Sequence, residues 1–383
     1  MTVVFVSNYY NHHQAPFSEE MHRLTDGHYY FIATEPMEEE RVNMGWNVEN
    51  FPQFVKFWYK NDQSKSECQS IIDSADVVIF GSAPYALIKS RLQHGKLTFR
   101  YSERLYKSGL PDFLHRCYHT LIHYFQNSRY NDFYLLCSSA YTSADYCKLF
   151  CYRNKAYKWG YFPATERYDN IEGLISRKLK HSILWTARFI KWKHPEMPIL
   201  LAHKLKQEGF DFHINMIGSG EMFDEIQDMI HSYNLDNEVT LLGSMRPDKV
   251  RTYMEQSEIF LFNSDRNEGW GAVLNESMNS GCAVVASHSI GSVPFLIRNG
   301  ENGYIYKDGD FSDFYAKVTS LLNNDFLSHK MGINAYQTIT EEWCAETAAQ
   351  RFLSLVSVLR KNGQTPFKQG PCSVAEILDD NWK

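Results

Sequence analysis

The chain has 383 residues, of which 44% are hydrophobic, and its formal net charge is −6. This length suits two domains of ordinary size, and the negative charge argues against general nucleic-acid binding. No apolar run approaches the roughly 20 residues that cross a bilayer, and the first residues lack the pattern of a signal peptide. We therefore expect a cytoplasmic protein whose eight scattered cysteines are reduced thiols.

The first predicted element is a buried strand over residues 3–6. The loop after it carries Asn8, His12 and His13, and an apolar helix pattern through Phe17 and Met21 follows. Loops at the carboxyl ends of parallel strands line the ligand crevice of open α/β sheets. At least one of the two histidines could therefore face a ligand, or one of them could merely cap the helix.

Short apolar segments and helix patterns continue through the first half. Strands are predicted over 29–33, 75–81, 97–101 and 133–138, and helices over 67–74, 86–93 and 140–150. Residues 35–62 predict no clear element. Glu103 and Arg104 follow the strand that ends at Tyr101, so they either form a surface ion pair or contact a ligand at the edge of the crevice.

Residues 110–127 form a strongly amphipathic pattern within a basic part of the chain. Its apolar positions follow helical spacing: Leu110, Phe113, Leu114, Cys117, Tyr118, Leu121, Ile122 and Phe125. Residues 87–131 contain eight Lys or Arg and two Asp or Glu, a net charge of +6. Such a stretch could rest on an anionic membrane or bind a pyrophosphate-linked lipid. The alternative is a basic, solvated surface without a partner.

The second half alternates strands and helices regularly, after a polar connection over residues 165–180. Predicted strands over 182–186, 212–217, 239–242, 259–262 and 282–286 are separated by helices over 197–208, 222–233, 247–256 and 272–280. This order predicts a doubly wound parallel sheet with right-handed crossovers. A long helix over about 345–361 follows.

Two consecutive strand ends in this half carry residues suited to phosphate groups. Arg188 and Lys193 follow the first strand, where two cations could clamp a diphosphate, although Lys191 competes with Lys193 for the role. Gly218 and Gly220 close the next strand. The third glycine of a dinucleotide fingerprint is replaced by a bulky residue at position 223, which argues against a nicotinamide dehydrogenase.

The next two strand ends complete a set of four. Met245 and Arg246 lie in the loop after the third strand. The fourth loop carries Glu268, two glycines and Trp270, and Glu276 stands eight residues after the first carboxylate on the following helix. Two glutamates at this spacing are common by chance, but their place beside a cation pair and a glycine loop is not.

The four loops in this order resemble the C-terminal half of family 4 glycosyltransferases, which are retaining enzymes of the GT-B architecture. The resemblance extends over residues 182–306 and is weaker over the N-terminal half. It implies two Rossmann-like, doubly wound domains facing each other across a cleft, with the C-terminal helix crossing back. Residues 1–165, with about 345–383, would bind the acceptor, and residues 175–344 would bind a nucleotide sugar.

The resemblance also implies roles for single residues. Arg188 and Lys193 would clamp the diphosphate, and Glu276 would accept from the ribose hydroxyls. Glu268 would contact the donor sugar, in a pocket shaped by Gly269, Trp270 and Gly271. The other residues implied on the donor side are Gly218, Gly220, Met245, Arg246, Ala272 and Val273. Candidates on the acceptor side are Asn8, Glu103 and Arg104, with His12 and His13 as further catalytic candidates.

The activity implied is transfer of a sugar from a nucleoside diphosphate sugar, most simply a UDP-sugar, with retention of configuration. The acceptor would be a lipid-linked or polysaccharide intermediate of bacterial surface glycan synthesis. No cofactor or metal is expected, because cations of the protein would stabilise the leaving group. Two alternatives share the fold, namely a nucleotide-sugar 2-epimerase and a non-catalytic scaffold subunit.

Overall fold

The computed structural model describes residues 1–39, 50–107 and 110–378. The contacts divide the chain into two compact units. Among the described residues, the first unit combines Met1–Ala164 with residues 342–378, and the second comprises Thr165–Glu341. Each unit is an α/β layer structure built on one parallel sheet.

Within the described residues, the sheet of the first unit has seven strands. They are β1 (Val3–Ser7), β2 (Tyr29–Ala33), β3 (Val55–Phe57), β4 (Val77–Phe80), β5 (Thr98–Ser102), β6 (Phe133–Cys137) and β7 (Ala156–Lys158). All neighbours are parallel, in the order β3-β2-β1-β4-β5-β6-β7. The strand order reverses at β1, which places a crevice at its carboxyl end.

Six helices among the described residues of the first unit connect these strands. They are α1 (Ala15–Leu24), α2 (Asp62–Ser74), α3 (Ala86–Gln93), α4 (Leu110–His123), α5 (Phe125–Tyr130) and α6 (Thr142–Lys148). Asn61 caps α2 by accepting from the amide of Ser64. The stretch without a predicted element, residues 35–62, contains the short strand β3, and residues 40–49 of it lie outside the described residues.

The sheet of the second unit has six strands among the described residues. They are β8 (Leu179–Thr186), β9 (His213–Ile217), β10 (Val239–Leu241), β11 (Ser257–Phe262), β12 (Ala283–Ser287) and β13 (Tyr304–Tyr306). All pairs are parallel, in the order β10-β9-β8-β11-β12-β13. The order reverses at β8, so the loops after β8 and β11 border the switch point of this sheet.

Helices cover the second sheet and bury its apolar side chains. They are α7 (Ile171–Ile175), α8 (Glu196–Gln207), α9 (Phe223–Ser232), α10 (Pro247–Gln256), α11 (Val273–Asn279), α12 (Val293–Leu296), α13 (Phe311–Leu322) and α14 (Asp325–Gln337). The core combines strand residues such as Ile183 and Leu261 with helix residues such as Leu201 and Val318. The predicted doubly wound sheet is confirmed. Gly281, with a φ of 68°, follows the carboxyl end of α11.

The last helix, α15 (Ala345–Leu359), belongs to the first unit. The ring centroid of Phe352 lies 5.0 Å from that of Phe99 on β5 and 5.8 Å from that of Trp159. This packing confirms that the C-terminal helix returns to the first domain. None of the described helices is long and apolar enough to cross a bilayer.

Candidate functional site

The loops after β8, β9 and β10 are joined into one surface by backbone hydrogen bonds. The amide of Phe189 donates to the carbonyl of Ser219 at 2.9 Å, and the amide of Gly218 donates to the carbonyl of Gly243 at 2.9 Å. Three of the four predicted loops are therefore held together at the carboxyl edge of the sheet, which is where open α/β sheets bind ligands.

The glycines of the second loop have a packing role in this surface. Gly218 has a φ of 143° and Gly220 a φ of 155°. A side chain on Gly218 would collide with the carbonyl of Ala187, and one on Gly220 with the carbonyl of Phe189. The close approach of two backbones explains both glycines, whether or not a ligand also lies against them.

Lys193 and Glu268 meet at the switch point. Lys193 ends a 3-10 turn after β8, and its ammonium group contacts the carboxylate of Glu268, which is 8% exposed and follows β11. The hydroxyl of Ser264 donates to the same carboxylate at 3.2 Å. The amide of Asp265 donates to the carbonyl of Trp192 at 3.0 Å and joins the two loops. The site thus contains a partly buried cation beside a buried carboxylate.

The turn after β8 gives the two lysines different surroundings. Lys191 is exposed, whereas Lys193 points to Glu268. Trp192 lies between the two lysines, and its ring contacts Lys193 and Arg188. The Lys193 ammonium lies 4.4 Å from the ring centroid and the Arg188 guanidinium 5.9 Å. The role of Trp192 was missed in the sequence, where its position between two lysines was the available signal.

The fourth loop is supported from inside by Trp270. Its side chain is 1% exposed, and the indole N–H donates to the side-chain oxygen of Asn275 at 2.9 Å. The hydroxyl of Ser292 donates to the carbonyl of Trp270 at 2.5 Å. The predicted pocket-shaping role is therefore corrected: the indole fills the interior, and this loop can border a ligand mainly through its backbone. Gly271, with a φ of 78°, lies too close to the ring of Phe262 for any side chain.

Other predicted donor-side residues lie around the same loops. Glu276 is half-buried in the first turn of α11, and burial raises the pKa of its carboxyl, while Arg251 lowers it in part. Met245 is half-buried, and the exposed Arg246 pairs with Asp248 at 3.2 Å. Ala272 and Val273 form the start of α11.

In the first unit, a line of polar side chains follows β1 and β5. The ring centroids of His12 and His13 lie 3.8 Å apart, and His13 stacks with Tyr161 at 6.3 Å. The hydroxyl of Tyr161 donates to the carboxylate of Glu103 at 2.7 Å, and Lys107 contacts the same carboxylate. Burial opposes ionisation of Glu103, but Lys107 and Tyr161 prevail and hold its pKa below the usual value.

The loop before α1 is shaped by a residue that sequence reasoning missed. The side chain of Asn11 accepts from the amides of His13 at 2.9 Å and Gln14 at 3.2 Å. These bonds order the turn that precedes α1, which begins at Ala15 and whose N-cap residue Gln14 makes no side-chain capping bond. An Asn four residues after a strand and just before a helix was the available signal. Asn8 is half-buried and accepts from the hydroxyl of Ser7 at 3.2 Å.

Arg104 lies in the interior, in contrast to its predicted place on the acceptor side. It is 2% exposed, and its guanidinium lies 3.5 Å from the Asp145 carboxylate and 5.0 Å from the ring centroid of Tyr141. Asp145 also accepts from the amides of Leu105 and Tyr106. The arginine and aspartate hold this loop in place, and the predicted surface pair between Glu103 and Arg104 does not form.

Several cations of the basic stretch over 87–131 are bound by groups of the first unit itself. Arg91 is buried and donates to the carbonyls of Ile72, Ala75 and Leu97. Arg100 likewise donates to backbone carbonyls, and Lys107 and Arg116 pair with Glu103 and Asp112. The charge excess in the sequence therefore does not form a broad basic surface.

Residues 169–338 match the family model described as Glycosyl transferases group 1. This segment spans nearly all of the second unit, including every loop with a predicted donor-side residue. Its match supports the resemblance at the level of group 1 glycosyltransferases.

Curated relatives show the same similarity over part of their length. N-acetyl-alpha-D-glucosaminyl L-malate synthase of Bacillus anthracis is 27% identical over 157 residues, 40% of this chain and 40% of the relative. Poly(ribitol-phosphate) alpha-N-acetylglucosaminyltransferase of Staphylococcus aureus (strain COL) is 29% identical over 172 residues, 44% of this chain and 34% of the relative. The chain thus spans two fifths or less of these two relatives.

Solved structures share the fold over nearly the whole chain. Anabaena Alr3699/HepE, crystallised with UDP, superposes with a TM-score of 0.67 at 11% identity and covers 93% of this chain and 100% of its own. The predicted fold is confirmed by this likeness: two Rossmann-like parallel sheets, as in GT-B glycosyltransferases.

Proposed function

We propose that the protein transfers a sugar from a nucleoside diphosphate sugar, with a UDP-sugar as donor, to an acceptor in bacterial surface glycan synthesis. The observation that carries this proposal is the contact of Lys193 with the buried Glu268 at the switch point of the second sheet. This contact lies inside the segment that matches group 1 glycosyltransferases. A cation held there by a carboxylate suits a site that must bind phosphate beside sugar hydroxyls.

The proposed reaction breaks the bond between the anomeric carbon and the diphosphate oxygen. The electron pair leaves with the nucleoside diphosphate, and Lys193 and Arg188 stabilise the negative charge that develops there. An acceptor hydroxyl forms the new bond on the same face of the sugar, which retains the configuration, and its proton passes to the leaving phosphate. The protein's own cations make a resident metal or cofactor unnecessary in this proposal.

Two carboxylates would accept hydrogen bonds from hydroxyl groups of the donor. Glu268 is held in place by Lys193 and Ser264, beside the cation that binds the diphosphate. Glu276 lies on the helix that follows the same loop and would accept from the ribose. Both carboxylates would accept hydrogen bonds from the donor, and neither would remove the proton of the acceptor hydroxyl.

The first unit would bind the acceptor. Its polar line of His13, Tyr161 and Glu103 offers donors and acceptors suited to sugar hydroxyls. The name of the staphylococcal relative describes a polymer acceptor, which supports a glycan polymer or its lipid-linked intermediate as the class of acceptor proposed here. Contact with a membrane belongs to the same proposal.

A thermal-shift screen against UDP-, GDP-, ADP- and dTDP-sugars tests the donor. We expect stabilisation by the UDP-sugar, because a ligand that binds the native state raises the melting temperature. Absence of any shift with all four donors would contradict the proposal and revive a scaffold role. Incubation with the donor alone provides the control, since formation of an epimer without acceptor would identify a 2-epimerase instead.

A further inference from the structure

Helix α4 turns apolar side chains toward solvent. The exposed residues recur every three or four positions and define one strip, which we call the α4 strip: Leu110, Leu114, Tyr118, Leu121 and Ile122. Leu114 and Ile122 are each 56% exposed and Tyr118 is 66% exposed. A surface helix of a globular protein normally buries this face, so the arrangement is inverted.

The opposite side of the helix attaches it to the first unit. Thr120 is buried, and the ring of Phe113 contacts that of Tyr106 with centroids 5.0 Å apart. His119 contacts the buried Tyr124 at 5.5 Å. Because these residues already attach the helix to the first unit, the α4 strip is not needed for that attachment.

The charges around the strip favour an anionic partner. Across the described residues of α4 and α5, no Asp or Glu is exposed, and the exposed residues that carry or can gain charge are His115 and Arg129. The half-buried Asp112 is paired with Arg116 at 2.7 Å. Tyr130, 76% exposed, adds a second exposed tyrosine. Tyrosine suits the boundary between headgroups and acyl chains, because its ring is apolar and its hydroxyl is polar.

The area of the α4 strip favours a bilayer over a second copy of the chain as its partner. The exposed apolar area is on the order of 500 Å², the size of a large functional patch on a monomer. Each partner in a stable protein complex buries roughly 800 Å². A strip of this size on one helix is too small for such a dimer, but it suffices for a helix that lies in a membrane interface.

We propose that the α4 strip docks the protein on an anionic lipid bilayer, with α4 parallel to the surface. Leu114, Leu121 and Ile122 enter the acyl boundary, and Arg129 stays at the headgroups. The proposal rests on the proposed function for its purpose, which is access to a lipid-linked acceptor. Its physical basis is the exposed strip itself, and not the charge excess of residues 87–131.

Flotation with vesicles of phosphatidylcholine and phosphatidylglycerol tests the proposal on the full chain. We expect the wild-type protein to float with the vesicles and the variant Leu114→Gln/Ile122→Gln to lose about tenfold or more in partitioning. The matched control is Leu179→Gln/Phe326→Gln, which changes two exposed apolar residues of the second unit and should float like wild type. The single variant Tyr118→Ser should show a smaller loss of partitioning than the double variant.

Two results would overturn the proposal: wild-type protein that stays with the soluble fraction, or a strip variant that floats as well as wild type. Size-exclusion chromatography with light scattering adds a third, namely a wild-type dimer that the strip variant converts to monomer. UDP-sugar binding is measured on the same samples. A protein that binds the donor but not vesicles refutes only the docking surface, whereas one that binds vesicles but no donor refutes only the proposed function.

Discussion

The two parallel sheets share one plan, but different side chains follow their strands. In each sheet the strand order reverses at the first strand, β1 or β8. The second unit places a lysine, an arginine and one glutamate on the loops at that edge, which are held by backbone hydrogen bonds, and a second glutamate on the helix that follows. The first unit places histidines and a tyrosine there, and its single carboxylate in that line is neutralised by Lys107.

This difference fits the proposed division between a donor-binding unit and an acceptor-binding unit. A diphosphate carries charge and needs fixed cations, whereas a glycan acceptor offers neutral hydroxyls and needs hydrogen bonds and ring faces. The same backbone plan can serve both, because loops at the carboxyl edge of a sheet carry the chemistry and the sheet carries the fold. Three substitutions test the comparison.

The largest effect is expected for Lys193→Ala. Loss of the cation removes charge stabilisation of the leaving diphosphate, and kcat/KM should fall by about 10²- to 10³-fold. Steady-state kinetics with saturating acceptor measure it. Lys191→Ala, two residues away and exposed, is the matched control and should retain wild-type rates. Equal losses in the two variants would show that general loop charge, and not the contact with Glu268, is what matters.

A smaller effect is expected in the first unit for Tyr161→Phe. The variant loses a hydrogen bond to a charged carboxylate, and kcat/KM for the acceptor should fall about tenfold. Nucleotide affinity, measured by calorimetry, should not change. Tyr59→Phe, a change at an exposed tyrosine of the same unit, serves as control. A parallel loss of nucleotide affinity in Tyr161→Phe would break the proposed division of labour.

The smallest effect concerns the stability of the second unit. Burial raises the pKa of Glu276 in the folded protein, so the folded state binds a proton more tightly than the unfolded state does. Its contribution to stability is therefore present below the unfolded pKa and is lost as the pH rises through the folded pKa. Glu276→Gln should raise the free energy of unfolding at neutral pH, by less than about 1 kcal/mol for a half-buried group.

Urea unfolding of wild type and Glu276→Gln at neutral pH and near pH 4 measures this difference. The gain should shrink at the lower pH, because the raised pKa lets the wild-type carboxyl take up a proton more readily in the folded state than in the unfolded state. A gain that is the same at both pH values would mean that the glutamine acts through packing and not through charge.

The strand ends of the second unit could be predicted from the sequence because its strands and helices alternate regularly. Its glycines mark loops where the local backbone geometry requires them. Lys193 could not be separated from Lys191, since only the three-dimensional turn decides which of them faces Glu268. Trp270 was expected in a pocket, but the hydrogen bond to Asn275 draws its indole inward. The spacing of residues in the sequence does not show whether a side chain lies in a pocket or in the interior.

The first unit was harder to predict for a related reason. Net charge over residues 87–131 does not distinguish an arginine on the surface from one, such as Arg91, that donates to buried carbonyls. Helical spacing identified the apolar face of α4 but not its direction. The partners of a side chain decide both questions, and most of those partners are distant in sequence.

The position of Phe352 between Phe99 and Trp159 has a consequence for the order of synthesis. A ribosome makes the strands of the first unit early but supplies this core residue only after the entire second unit has been translated. The unit that begins first is therefore completed last. The second unit, whose residues are contiguous, can fold during translation while the first one still exposes an unfilled aromatic core.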